Sequence, residues 1–128
     1  MSWIDKVKFD EKGLVPAVVQ DYKTKDVLMV AYMNMEALER TLIEGKVYYY
    51  SRSRQKLWLK GETSGFTQTV KTIYVDCDMD CLLIKIIQKG GACHAGYRSC
   101  FYREDVKGIL EETGKKVFDP EKVYKKKS

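Results

Sequence analysis

The sequence predicts an α+β domain: mostly antiparallel, barrel-like β structure with one or two short helices. Three observations lead there. Short runs rich in apolar and β-branched residues recur at Leu14 to Asp21, Val27 to Met33, Thr67 to Asp76 and Leu82 to Gln88, as strands do. Polar or glycine-containing segments separate them. One clear helical stripe occurs, between Asn34 and Gly45.

Taken in order, the first two runs flank the polar turn Tyr22-Lys-Thr-Lys-Asp26 and read as a hairpin. Asn34 is placed to cap a helix, and Glu36 in its first turn suits the helix dipole. Leu38 and Leu42, with Ala37 and Thr41, form the buried stripe, and Gly45 is a natural stop. Val47 to Tyr50 restarts as a strand, followed by a basic stretch from Arg52 to Lys60 and the loop Gly61-Glu-Thr-Ser-Gly65. After the strands at 67–76 and 82–88 comes a glycine-containing loop through Cys100. A short helix over Val106 to Glu112 and an extended piece at Lys116 to Phe118 complete the expectation.

The 128 residues read as a single domain, with 105–128 a C-terminal extension ending in a basic tail. The net charge of +5 is largely local, because four lysines sit between Lys122 and Ser128. The body is near neutral, which argues against a nucleic-acid protein. No segment approaches the roughly 18 apolar residues of a membrane span, and the N-terminus lacks a signal-type apolar core. The expectation is a soluble, cytoplasmic chain whose four cysteines serve metal binding or chemistry rather than disulfides.

The segment Asp76-Cys-Asp-Met-Asp-Cys81 is the most informative. Continued as a strand, it would put Asp76, Asp78 and Asp80 on one face at about 7 Å spacing. Three like charges there repel unless a hard cation such as Mg²⁺ gathers them; a solvated acidic edge is the plain alternative. A calcium loop is excluded, since its glycine and glutamate places hold Cys81 and Ile87. Cys77 would face the other way, and Cys81 leads into Leu82-Leu-Ile84 as a core residue. Cys93 and Cys100 lie in and just after the glycine-containing loop, without the paired spacing of structural zinc sites. Three cysteines with one distant in sequence are compatible with a catalytic zinc keeping an open position, or with small buried side chains.

His94, the sole histidine, adjoins Cys93 as a further ligand or as a proton carrier. The third constellation is Ser51-Arg-Ser-Arg-Gln55, Lys56, Trp58 and Lys60 with the loop Gly61-Glu-Thr-Ser-Gly65; Arg52, Arg54 and Lys60, with Glu62, Thr63 and Ser64, are a set suited to phosphate. With Tyr48 to Tyr50 before it, the same stretch also fits a stacking platform for single strands.

Together, Ser51-Arg-Ser-Arg-Gln-Lys-Leu-Trp58, Lys60-Gly-Glu-Thr-Ser-Gly65, Asp76-Cys-Asp-Met-Asp80, Ala92-Cys-His-Ala-Gly96 and Ser99-Cys-Phe101 resemble the phosphoribosyl-AMP cyclohydrolases of histidine biosynthesis. The resemblance runs from about residue 14 to 104. It implies an intertwined homodimer with zinc at the subunit interface, Cys77 from one subunit and Cys93 with Cys100 from the other. It further implies Mg²⁺ on Asp76, Asp78 and Asp80, His94 moving protons, and Arg52, Arg54, Lys60, Glu62, Thr63 and Ser64 around the substrate. Ala95 departs from the threonine common in that position and removes any hydroxyl contact there. With few residues after Glu104, the single-activity form is expected rather than one fused to a pyrophosphohydrolase.

The implied reaction is hydrolytic opening of the adenine ring at N1–C6. A zinc-dependent purine deaminase is the first rival, but Cys93 is followed by His-Ala and not by Xaa-Glu. A single-stranded nucleic-acid module is the second, and the acidic 76–80 run speaks against it.

Overall fold

The computed structural model describes residues 3–124. After a 3-10 turn at Ile4–Lys6, β1 (Val15–Asp21) and β2 (Val27–Met33) form the expected antiparallel hairpin. β1 alternates strictly, with Val15, Ala17, Val19 and Asp21 inward. Asp21 ends the strand by accepting the N–H groups of Lys23 and Thr24 at 2.8 and 2.9 Å. The helix α1 (Met35–Glu44) starts where Asn34 accepts the Ala37 N–H at 2.9 Å and ends at Gly45 in the left-handed region, φ 75°. Buried Thr41 ties that helix forward, its hydroxyl donating to the Ala37 carbonyl and accepting the Tyr48 N–H.

β3 (Tyr48–Ser51) and β4 (Lys56–Leu59) pair as a separate hairpin. The basic stretch is therefore partly strand, turned through residues 52–55 with Gln55 at φ 54°. β5 (Gln68–Val75) and β6 (Leu82–Gln88) follow, and the main sheet runs in the order β2-β1-β6-β5. Two of its three strand pairs are antiparallel, but β1 and β6 run parallel. A parallel pair needs a long crossover, and here it contains β2, α1, the β3–β4 hairpin and β5. Among the described residues the sheet stays open and does not close into a barrel.

One sheet face packs against α1 and β3 to make the core, with Val19, Leu28, Leu38, Val47, Tyr49 and Ile84 fully enclosed. Its polar members are partnered, as burial demands. The Tyr49 hydroxyl donates to Gln68 Oε1 at 2.6 Å, and Gln68 Nε2 donates to Gln88 Oε1 at 2.8 Å.

The helix expected over Val106 to Glu112 is instead a hairpin of β7 (Arg103–Val106) and β8 (Ile109–Glu112). Lys107 and Gly108 both take positive φ, 51° and 89°, the two-residue turn that matches strand twist. Asp105 reinforces it by accepting the Gly108 N–H at 2.9 Å. The extended piece at 116–118 is present as a bridge of Lys116 to Tyr97. A second helix, α2 (Pro120–Tyr124), begins where Asp119 accepts the Glu121 N–H at 3.0 Å; the Asp-Pro start signal there is local and readable. Among the described residues no helix is long and apolar enough to cross a membrane. Most of the basic tail, 125–128, lies outside the described residues.

Candidate active site

The aspartates do not continue a strand. β5 ends at Val75, and residues 76–81 form the tight turn into β6. Asp76 Oδ1 accepts the N–H groups of Asp80 and Cys81 at 2.9 and 3.2 Å, and Met79 takes φ 65°. The turn, not a two-residue period, brings the carboxylates of Asp76, Asp78 and Asp80 together, with one oxygen of each within 4.8 Å of the others. Desolvation pushes upward on Asp76, but those N–H donors and Asp80 outweigh it and hold its carboxyl low. Asp80, sharing a hydrogen bond with Asp76 and facing two like charges, is pushed up. An exposed, converging oxygen set of this kind fits a hard divalent cation.

Cys77 sits exposed in this turn, and Cys81 is half-buried there rather than a core residue. Cys93 follows the far end of β6, whose seven residues span about 20 Å at roughly 3.3 Å each. Within one chain Cys77 therefore does not meet the other two. Among the described residues, the aspartates are the one group of three or more donors close enough to share an ion.

Cys93 and Cys100 do come together. Buried Cys93 accepts the Ala95 N–H on its sulfur at 3.4 Å. Cys100 is anchored to β2, its N–H donating to the Leu28 carbonyl at 2.7 Å, while the Ser99 hydroxyl donates to Val27 O. Between them Arg98 binds Asp21 and approaches Asp26 at 3.7 Å, pinning this loop to the β1–β2 turn. Gly96 lies at φ 98°, where a Cβ would strike the Phe118 carbonyl at 2.5 Å. The Cys100 thiol is pushed up to about 11, first by burial of the sulfur and then by the adjacent Cys93; Lys60 acts in the opposite direction. Burial also lowers Lys60, against the pull of the two sulfurs. Two adjoining thiols beside a cation are a fitting but incomplete set for zinc.

Beside the thiols lies a cavity of about 490 Å³. Arg54, Lys60, Glu62, Thr63, Ser64, His94 and Cys100 all line it, so one chain gathers most of the predicted residues. His94 is exposed on its wall. Lys60 donates to the Ala92 carbonyl at 2.6 Å, which commits its ammonium to the cysteine loop more than to open space. Glu62 accepts the Leu59 N–H at 3.1 Å, closing the turn after β4. Gly61 in that turn has φ 89°, and a Cβ there would meet Phe66 backbone at 2.5 Å. Arg52 is not part of the lining; its guanidinium lies 4.2 Å from the centre of the Tyr32 ring. Ser51, Ser53 and Trp58 of the same basic stretch also line the cavity. Tyr124 lines it too, from a C-terminal segment in which no motif points to a site.

A family model described as phosphoribosyl-AMP cyclohydrolase matches residues 29–102. This chain belongs to that family. The phosphoribosyl-AMP cyclohydrolase of Chlorobaculum parvum is 58% identical over 128 residues, covering 99% of this chain and 93% of that protein. The one from Chlorobium limicola has the same identity and coverage. A histidine biosynthesis bifunctional protein HisIE from Thermoanaerobacter pseudethanolicus is 56% identical over 121 residues, or 94% of this chain and 56% of that protein. The stretch matched to the cyclohydrolase family holds the β3–β4 hairpin, the aspartate turn, His94 and all the cysteines. It stops before β7 and α2.

Proposed function

We propose that this protein hydrolyses phosphoribosyl-AMP, opening its adenine ring between N1 and C6, as a cytoplasmic homodimer carrying zinc and magnesium in the pathway to histidine. The observation that carries this reading is the joining of two thiols, His94 and a nucleotide-sized cavity lined by Arg54 and hydroxyls in one place. Membership of the cyclohydrolase family supports the substrate.

Cys93 and Cys100 would hold zinc with Cys77 of a second copy, and Asp76, Asp78 and Asp80 would hold magnesium. When bound, zinc supplies a Lewis acid that makes water acidic enough to attack near neutral pH, and magnesium offsets phosphate charge. The chain's own residues do the rest. Lys60, fixed on the Ala92 carbonyl, places a positive charge against the thiols and favours their ionised form. Arg54 offers a fork to a phosphate, and the hydroxyls of Ser51, Ser53, Thr63 and Ser64 surround the same space. His94, on the cavity wall, takes a proton from the attacking water and returns one to N1 as the ring opens. The exocyclic amine stays in the product, which separates this reaction from deamination.

The test is turnover of phosphoribosyl-AMP by protein of measured zinc content, followed by absorbance as the purine becomes an imidazole carboxamide. Activity should vanish on chelation, return with zinc, and be absent in Cys93→Ala. A fully zinc-loaded, folded protein that leaves the substrate untouched would refute the proposal.

A further inference from the structure

A second cavity, of about 620 Å³, adjoins the first and is lined by His94, Pro120, Glu121 and Tyr124. His94 and Tyr124 border both cavities, so they form the wall where the two meet. His94 stands beside the thiols. Tyr124 arrives from α2, outside the segment matched by the family model.

Its position is built, not incidental. The Gly96 carbonyl accepts the N–H groups of both Val117 and Phe118, fixing the C-terminal strand against the cysteine loop. Phe118 then packs edge-on to Phe66 with ring centres 4.8 Å apart, and Tyr124 lies 6.3 Å from Phe118. Phe66 closes the loop that carries Thr63 and Ser64. An aromatic series therefore runs from the polar loop to the junction of the two cavities. Trp58 is the other aromatic ring lining the first cavity. It is already engaged by Tyr49 at 5.1 Å and by the Lys60 ammonium at 5.8 Å. Tyr124 is half-buried and borders open space on two sides.

We infer that Tyr124 is the stacking residue for the purine of the substrate, holding the base at the cavity junction beside His94 while the Arg54-lined cavity takes a phosphate. The inference deepens the proposed cyclohydrolase reading and rests on it for the identity of the base. An aromatic face recognises a purine by stacking, without hydrogen-bond demands.

Binding of AMP, measured by calorimetry, tests this apart from turnover. Wild type should bind AMP, Tyr124→Phe should match it within about twofold, and Tyr124→Ala and Tyr124→Leu should both bind about tenfold more weakly. KM for phosphoribosyl-AMP should rise by the same factor in those two variants, with a smaller change in kcat. Wild-type-like AMP affinity in Tyr124→Ala, full affinity in Tyr124→Leu, or loss in Tyr124→Phe would each overturn the inference, as would absence of AMP binding by the wild type. AMP binding that obeys the pattern in a protein without cyclohydrolase turnover would leave the stacking role standing and remove the proposed reaction.

Discussion

Single residues set the chemistry here through their partners. Asp21 illustrates this: burial alone would raise its carboxyl, but the Thr24 and Lys23 N–H groups and Arg98 prevail and hold it below the ordinary value. Because the folded state lowers this pKa, the stabilisation is complete above the unfolded value near 3.9 and is lost as pH falls through the folded one. Arg98 lies between Cys93 and Cys100, so the same ion pair secures the cysteine loop. Asp21→Asn should cost about 1 to 3 kcal/mol at neutral pH and flatten the loss of stability below about pH 4. Denaturant melts of both proteins across pH 3 to 7 check it; parallel curves would show that Asp21 is not the titrating contact. Arg54, Lys60 and His94, singled out along the sequence by residue type, all line the cavity. Arg52 lies against Tyr32 instead, a placement that nothing local in the sequence indicates.

At the scale of elements, the sequence was most readable where signals are local. The Asn34 cap and Gly45 stop delimit α1 as expected, and β1, β2 and β6 have nearly the predicted bounds. Asn34→Ala should lower stability by about 1 kcal/mol, with the α1 amides losing hydrogen-exchange protection first; uniform loss of protection would contradict a local cap. The misreading at 106–112 has a physical cause. Val106, Ile109 and Leu110 satisfy a helical spacing, while the turn at Lys107-Gly108 and the Asp105 side chain favour a hairpin. Continuing β5 through Asp80 failed for a related reason: accepting two N–H bonds, Asp76 stabilises a turn that alternation cannot reveal.

On the whole-molecule scale, the β6 strand separates the aspartate turn with Cys77 from the Cys93–Cys100 pair. If zinc needs all three cysteines, two chains must build each site, in either C2 half. Mixed Cys77→Ala and Cys93→Ala proteins, each inactive, should recover partial activity only after their subunits exchange, since one site of each mixed dimer is intact. Exchange without recovery, shown by mass spectrometry of the mixed dimer, would defeat the shared site. The sequence by itself determined the donor types, their order, the strand-rich class and the family, because composition, local propensity and motif spacing are written along the chain. Only the tertiary structure decided which donors meet: the parallel β1–β6 pairing, the convergence of three carboxylates in a turn, and the arrival of Tyr124 beside His94. Those distances depend on strand pairing and packing between residues far apart in sequence, and no local pattern encodes them.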